Sequence, residues 1–318
     1  MSCLDKRHIL EIENLSVTFR QYEGGLRQTE LPVISDLNVS VHEGEIVAVV
    51  GASGSGKSLL AHAVMGVLPR NARMEGEIYY NEELLTEERL KKLRGREIAL
   101  VPQSVNYLDP LMKVGKQVAG QEGSKAIRRK VRGLFHKYGL EDEVLGLYPF
   151  ECSGGMSRRI LLATALTGGA NLIIADEPTP GLQLELAKQA MQDFRTFADQ
   201  GKGVLLITHD IELALEVADR IAVFYAGTTV EEAKVEDFSS EKTLRHPYTK
   251  ALWRAMPKNG FQSIPGTQPY VKDMPKGCPF GPRCELFDEE CTGKIPVQVV
   301  NCGTVRCVKC HGKEGHRH

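Results

Sequence analysis

The sequence lacks long hydrophobic runs, has only one tryptophan and carries no large excess of charge of either sign. No stretch approaches the roughly 18 apolar residues that span a membrane, and the N-terminal segment lacks the apolar core of a secretion signal. We therefore expect a soluble chain that reaches a membrane only through a partner. Because 40 basic residues face 41 acidic ones, a broad surface for nucleic acid or membrane is not expected.

Cysteine is scarce over most of the chain and concentrated near its end. Cys3 and Cys152 stand alone, whereas the other six of the eight cysteines are Cys278, Cys284, Cys291, Cys302, Cys307 and Cys310. Without a secretion signal, such a group indicates a metal or cluster site before it indicates a set of disulfides.

Short apolar segments alternate with helix-forming segments along most of the chain. Apolar alternation predicts N-terminal strands at 9–19 and 33–41, and the apolar run 46–50 leads through glycine into a helical segment at 58–68. Further strands and helices follow, among them a helix predicted at 184–198, and this alternation predicts an α/β fold with a mainly parallel sheet covered on both faces. A polar, helical stretch from residue 103 to about 150 indicates an inserted subdomain. Beyond residue 235, frequent prolines predict a loop-rich extension.

Residues 51–58 match the phosphate-binding pattern G-x-x-x-x-G-K-[ST] between a predicted strand and a predicted helix. Glycines in such a loop let backbone N–H groups approach phosphate oxygens, and the helix directs its positive end at them. Lys57 is expected to reach the β- and γ-phosphates of ATP, and Ser58 to ligate Mg²⁺. The residues predicted to bind nucleotide here are Gly51, Ser53, Gly54, Ser55, Gly56, Lys57 and Ser58.

Two carboxylates end the apolar strand predicted at 172–175. Asp176 is expected to hold Mg²⁺ through water, and Glu177 to polarise the attacking water as a general base. His209 follows the strand at 204–207, where it can contact the γ-phosphate. Acidic residues at strand ends and single histidines are also common in purely structural roles, so each of these assignments depends on the others.

A second anion-binding helix start is predicted at Ser153, Gly154 and Gly155. Because the chain already has one phosphate-binding loop, this segment makes most sense facing the ATP of a partner across a dimer.

In this order, the P-loop, Gln103, the Ser-Gly-Gly segment, the Asp-Glu pair and His209 resemble the ATPase subunits of ABC transporters over about residues 8–235. The resemblance implies an ABC-type P-loop core over residues 1–237, with N-terminal antiparallel strands and a helical subdomain at about 103–152. It implies that Gln103 senses Mg²⁺ and contacts the membrane subunits. It also implies an aromatic residue that stacks on adenine, with Phe19 as first candidate and Tyr22 as the alternative.

The match departs from the family pattern at two places. The family usually has Leu-Ser-Gly-Gly-Gln where this chain has Cys152 and Met156 at the ends, although Met is common in the peptide-transporter branch. Gln183 stands where the family commonly has aspartate. Two interpretations remain open: an asymmetry between the two ATP sites of a heterodimer, or a Gln183 that bridges the interface by hydrogen bonds.

Several segments are similar to the oligopeptide, dipeptide and nickel importers, and they extend the resemblance to about residue 307: 101–115, 246–252, 264–266, 277–284 and 305–307. The resemblance implies an ATP-hydrolysing subunit that powers uptake of short peptides or nickel-type ligands. It also implies a peripheral position on the cytoplasmic face of the membrane. The implied partners are a sibling ATPase, two membrane permeases and, indirectly, an extracellular substrate-binding protein.

The extension, residues 238–318, places Cys278, Cys284, Cys291 and Cys307 in a segment too loop-rich to build its own core. Some members of this branch carry a 4Fe–4S cluster at matching positions. Zinc suits four thiolates equally well, and free or disulfide-paired cysteines are the third possibility. Cys302 and Cys310 are extra to the set.

A different class remains as the alternative, namely a soluble iron–sulfur ABC ATPase that acts on ribosomes or nucleic acid. Such proteins usually carry two cassettes, whereas this chain carries one, and we expect no basic tract suited to phosphate backbones.

Overall fold

The computed structural model describes residues 6–23, 27–52, 54–120, 123–300 and 303–308, so that Ser53, Cys302 and Cys310 lie outside the described residues. The strands are β1 (His8–Glu23), β2 (Arg27–His42), β3 (Ile46–Gly51), β4 (Ala72–Tyr80), β5 (Glu83–Leu84), β6 (Ile98–Val101), β7 (Leu172–Asp176), β8 (Gly203–Thr208), β9 (Arg220–Tyr225), β10 (Thr228–Lys234), β11 (Val297–Val300) and β12 (Gly303–Arg306). The helices are α1 (Lys57–Val64), α2 (Glu87–Leu93), α3 (Val114–Ala119), α4 (Lys125–Lys137), α5 (Gly154–Thr167), α6 (Leu184–Ala198), α7 (Ile211–Val217) and α8 (Pro247–Ala255).

An eight-stranded sheet forms the centre of the molecule, in the order β11-β12-β10-β9-β3-β8-β7-β6. Strands β9, β3, β8, β7 and β6 are parallel. All residues of β3, β7 and β8 are buried, as expected where a parallel sheet is covered on both faces. The P-loop and the Asp-Glu pair therefore leave the same edge of the sheet, since carboxyl ends of parallel strands share an edge. The predicted α/β class is confirmed.

Alternate residues of β3 enter two separate apolar clusters. Ile46, Ala48 and Val50 pack with the helices on one face, whereas Val47 and Val49 pack against the N-terminal strands on the other. The N-terminal strands form their own antiparallel sheet, in the order β2-β1-β4-β5. Because successive side chains of a strand point to opposite faces of the sheet, β3 packs against the helices on one face and against the N-terminal strands on the other.

The extension is more regular than its composition predicts. Strands β11 and β12 continue the central sheet through antiparallel pairing of β12 with β10, with Glu231 opposite Val305. Gly303 permits this approach, because a Cβ there would lie 2.0 Å from the carbonyl oxygen of Glu232. With four residues each, β11 and β12 are too short to carry a clear periodic signal.

Short 3-10 turns and loops make up most of the remaining extension, as its prolines predict. Among the described residues, no helix is both long and apolar enough to cross a bilayer.

Candidate functional site

The phosphate-binding loop joins β3 to α1 and requires its glycines. A Cβ on Gly51 would lie 2.1 Å from the carbonyl oxygen of Phe224 on β9. Gly54 and Gly56 have φ angles of +77° and +96°, in the left-handed region that favours glycine. The loop therefore keeps its backbone close to the sheet and free of side chains where phosphates approach.

Lys57 is buried and donates from Nζ to the carbonyl oxygens of Gly51 and Ala52, at 2.8 and 2.9 Å. Burial lowers the pKa of Lys57, and the carboxylates of Glu177 and Asp176 oppose that change. An ammonium held by loop carbonyls can exchange them for phosphate oxygens at little cost, since both are oxygen acceptors. The hydroxyl of Ser55 is buried and has no hydrogen-bond partner among the described residues, so the loop retains a donor that fits a phosphate.

Three oxygen-bearing side chains converge at the start of α1. The hydroxyl of Ser58 donates to Asp176 Oδ1 at 3.0 Å and lies 3.5 Å from Gln103 Oε1. Burial raises the pKa of the Asp176 carboxyl, although the Ser58 hydrogen bond opposes the rise. Hydroxyl, amide and carboxylate oxygens are the ligand types that suit Mg²⁺, and a divalent cation would keep Asp176 ionised. These residues therefore fit the magnesium site that was predicted.

Glu177 lies beside Asp176 in a strained conformation. Its φ is +47°, and its N–H donates to the carbonyl oxygen of Ile207 at 2.8 Å. The buried carboxylate of Glu177 meets Nδ1 of His209 at 2.8 Å, while 56% of the His209 side chain is exposed. Strain of this kind persists where surrounding contacts enforce it and is frequent at active sites. The Glu177 carboxylate and the His209 imidazole can together hold a water molecule on the exposed side of the P-loop.

Arg158 on α5 was not predicted as a site residue. It is buried, and its guanidinium donates to the carbonyl oxygens of Pro102 at 2.8 Å and Gln103 at 2.5 Å. Burial lowers the pKa of Arg158, and Asp176 and Glu177 oppose that change. Arg158 thus fixes the backbone of the Gln103 loop from the helix that follows the Ser-Gly-Gly segment. The sequence signal that could have identified Arg158 was a charged residue near the start of an otherwise apolar helix.

The Ser-Gly-Gly segment caps α5 at the surface. Ser153 accepts a hydrogen bond from the N–H of Met156 at 3.2 Å, and Ser153 and Gly154 are exposed. Among the described residues, nothing lies within 4 Å of a Cβ built on Gly154, and Gly155 is half-buried. A fourteen-residue helix that starts beside an exposed serine and an exposed glycine is suited to an anion brought by another molecule.

The remaining nucleotide and interface candidates differ in exposure. The ring of Phe19 is half-buried and packs against the N-terminal core, whereas Tyr22 is 65% exposed and its hydroxyl accepts a hydrogen bond from Gln28. Gln183 is exposed and directly precedes α6 as its N-cap residue, where its side chain makes no capping hydrogen bond with the described residues. A ligand or partner can therefore reach the exposed side chains of Tyr22 and Gln183.

The cysteines of the extension surround one small apolar cavity. Cys278, Cys284, Cys291 and Cys307 line it, together with His246. Cys307 is disulfide-bonded, whereas the other three are free. Within the described ranges, no group of three or more ligand residues is arranged to hold a metal ion. The predicted four-thiolate site is therefore not formed here, because a disulfide sulfur is not a thiolate ligand.

Comparison with known proteins identifies the two parts of the chain separately. Residues 34–180 match the ABC transporter family, and residues 230–291 match the family described as oligopeptide/dipeptide transporter, C-terminal region. The chain is similar to the dimeric structures of the ATP-binding cassette MJ0796, one of them bound to ADP and Pi. They are 28% identical, with a TM-score of 0.61, and cover 71% of this chain and 98% of theirs.

Curated relatives match over nearly their whole length. The oligopeptide transport ATP-binding protein OppD of Salmonella typhimurium is 34% identical, over 95% of this chain and 93% of the relative. The dipeptide transport ATP-binding protein DppD of Haemophilus influenzae is also 34% identical, over 95% of each. The chain therefore belongs to the ABC transporter ATP-binding proteins, in the branch of the oligopeptide and dipeptide ATP-binding subunits, and it is an ATPase.

Proposed function

We propose that this chain hydrolyses ATP to power the import of short peptides through membrane permeases. The observation that carries the proposal is that an ABC cassette is followed by an extension, which matches the oligopeptide/dipeptide transporter family at 230–291. The names of the relatives also give oligopeptide and dipeptide transport. The names of these two relatives do not mention nickel-type ligands, the other cargo class expected from the sequence.

Within the cassette, Lys57 and the P-loop backbone hold the phosphates. Ser58 and Gln103 would ligate Mg²⁺, Asp176 would hold it through water, and the bound ion would neutralise phosphate charge. Glu177 is the general base, and His209 orients it and reaches the γ-phosphate. The 3.0 Å Ser58–Asp176 and 2.8 Å Glu177–His209 contacts support these roles. Adenine stacks on Phe19 or Tyr22, and the exposed ring of Tyr22 favours Tyr22.

Each ATP lies between the P-loop of one subunit and Ser153, Gly154 and Gly155 of the other. The exposure of this segment supports a site completed by a partner. We propose a sibling ATPase as that partner, with Gln183 at the interface, where its uncapped side chain is free to bridge or to make the two sites unequal.

The assembly we propose has a nucleotide-binding domain at residues 1–237, with its helical subdomain at about 103–152, and the extension at 238–318. The cassette sits at the cytoplasmic face of the membrane on two permease subunits, which receive cargo from an extracellular binding protein. The helical subdomain and the loop at Gln103 meet the permeases. The exposed apolar side chains of Tyr107, Leu111 and Met112 support this docking side.

The cysteine cavity is proposed to hold a 4Fe–4S cluster once Cys307 is reduced, with zinc as the alternative. One feature supports thiolate ligands: the free thiols of Cys278, Cys284 and Cys291 share one cavity with Cys307. Burial raises the pKa of the Cys278 thiol, and a bound metal ion would hold it as a thiolate instead.

Chemical analysis of protein purified without oxygen tests the metal. The proposal expects about four irons and four acid-labile sulfides per chain with broad visible absorbance, lost in Cys278→Ser but kept in Cys152→Ser, a thiol outside the cavity. Stoichiometric zinc without colour establishes the alternative, and protein free of both metals contradicts a metal role.

Uptake of labelled peptides tests the transport function. In cells lacking this gene, we expect uptake of labelled di- and oligopeptides to fall and to return with the wild-type chain. Lys57→Ala should not restore it, because the P-loop loses its phosphate-binding ammonium, whereas the exposed-surface variant Lys188→Ala should. Normal peptide uptake without the gene would contradict the proposal.

The ribosome or nucleic-acid alternative is weaker on two grounds. Helix α4 does carry a basic tract, contrary to the sequence-based expectation, but several of its cations are engaged within the chain. Lys130 donates to the carbonyl oxygen of Thr167, and Lys137 pairs with the buried Asp193. In addition, this chain, with one cassette and its extension, covers more than 90% of the length of these relatives. Co-purification of rRNA rather than of permeases would favour the alternative.

A further inference from the structure

Two residues outside the predicted site link the P-loop helix to the loop that carries Gln103. The hydroxyl of Tyr107 lies 3.2 Å from Nε2 of His62, so one group donates a hydrogen bond to the other, in a direction set by the histidine tautomer. His62 is half-buried on α1, whereas Tyr107 is 51% exposed. Neither residue was predicted as a site residue.

This contact repeats the spacing of the contact at the magnesium site. Ser58 and His62 are four residues apart on α1, so their side chains lie one above the other on the same face of the helix. Their partners Gln103 and Tyr107 are also four residues apart, and Ser58 Oγ lies 3.5 Å from Gln103 Oε1. The loop therefore meets α1 at two successive turns, first beside the magnesium site and then at His62.

The loop has few other contacts that could fix its position, because residues 103–107 are exposed or half-buried. At its start, Arg158 donates to the carbonyl oxygen of Gln103, and at its end Leu108 is buried in the core. Besides the contact of Gln103 itself, the described residues show one hydrogen bond between the loop and α1, that of Tyr107 with His62.

We infer that His62 is a positioning residue, which holds the loop through Tyr107 so that Gln103 stays within reach of Mg²⁺. The inference rests on the proposed role of Gln103 as a magnesium ligand, but it is independent of the cargo and of the cysteine cavity. Without the second contact, the exposed loop opens away from α1 more often, and each opening withdraws an oxygen ligand from the ion. The expected result is weaker metal binding, while the P-loop contacts of the nucleotide are kept.

Binding of Mn²⁺ together with a non-hydrolysable ATP analogue tests this role in the full-length chain, with electron paramagnetic resonance as the readout. His62→Ala and Tyr107→Phe should each weaken Mn²⁺ binding about three-fold, as expected for one lost hydrogen bond. The double variant should bind no more weakly than either single variant, because both remove the same contact. Binding of the analogue without metal should stay within about two-fold of the wild type.

Tyr79→Phe is the matched control, because it removes a surface hydroxyl that donates to Glu77 within β4, away from the site. It should bind Mn²⁺ as the wild type does. Hydrogen exchange of the nucleotide-free chain adds a readout without metal. Amides of residues 103–108 should exchange faster in His62→Ala and Tyr107→Phe than in Tyr79→Phe, at similar melting temperatures.

Gln103→Ala separates this inference from the proposed function. If Gln103→Ala weakens Mn²⁺ binding but His62→Ala and Tyr107→Phe do not, the inference is wrong while the magnesium site stands. Additive losses in the double variant would also overturn it, because the two residues would then act separately. If Gln103→Ala leaves Mn²⁺ binding unchanged, the proposed role of Gln103 fails and the inference fails with it.

Discussion

The ATP cassette and the C-terminal extension are held together by different kinds of contact. In the cassette, whole strands such as β3 and β8 are buried, and two apolar clusters cover the faces of the sheet. The extension adds a few buried apolar side chains, such as Leu244, Tyr248 and Phe280, to one of these clusters, and individual polar contacts fix its loops. Arg283 donates to the carbonyl oxygens of Ile264 and Pro265, and Arg306 forms an ion pair with Asp36 at 2.8 Å.

This difference determines how each part responds to change. Burial of apolar area is spread over many residues, so the cassette should tolerate single polar losses outside its site. A segment held by a few arginine forks should open locally when one fork is lost. Changing one contact in each kind of region separates these two responses.

The largest effect is expected at the P-loop. Lys57→Ala should reduce ATP hydrolysis at least about 100-fold, because the ammonium that neutralises phosphate charge is removed. Steady-state ATPase measurements and binding of a fluorescent ATP analogue provide the check. Lys188→Ala on the exposed face of α6 is the control and should keep full activity. Equal activity in both variants would show that Lys57 is not part of the site.

A smaller effect is expected from Arg158, which acts on Gln103 through the backbone. Arg158→Lys should lower kcat about ten-fold and change ATP affinity little, since lysine cannot make both hydrogen bonds of the planar fork. Arg195→Lys is the matched control, because Arg195 also donates to a backbone carbonyl, that of Gly44, but away from the site. If both variants lower kcat equally, Arg158 has only a general structural role.

The smallest effect on chemistry is expected from Arg283. Arg283→Lys should increase proteolytic cleavage within residues 256–296 several-fold, while the cassette stays resistant and hydrolyses ATP at a rate within about two-fold of the wild type. Limited proteolysis followed by mass spectrometry measures both regions in one experiment. Simultaneous cleavage of cassette and extension would break the contrast between them.

Contiguous motifs explain why much of the site could be predicted. Residues 51–58 and the Asp176–Glu177 pair each lie within one turn or strand end, so their sequence order also describes their geometry. Helix α6 was predicted with the same bounds as in the structure, because its apolar positions repeat at helical spacing.

Long-range contacts explain most of what could not be predicted. Arg158 meets Gln103 across 55 positions, and Arg306 of the extension meets Asp36 across 270. Strand β12 is defined by its pairing with the distant strand β10, in which Val305 lies opposite Glu231. No local period or motif encodes such pairings. The same reasoning applies to the cysteines, whose spacing predicted a shared metal site and, as the third possibility, disulfide pairing, but could not assign a disulfide to Cys307.

The most direct test of the account is ATP hydrolysis by Glu177→Gln in the assembled transporter. The amide keeps the size of the side chain but cannot accept a proton from water, so the variant should bind ATP with wild-type affinity and retain it unhydrolysed. Turnover should fall at least about 100-fold. Hydrolysis near the wild-type rate would contradict the assignment of Glu177 as general base and, with it, the proposed chemistry of the site.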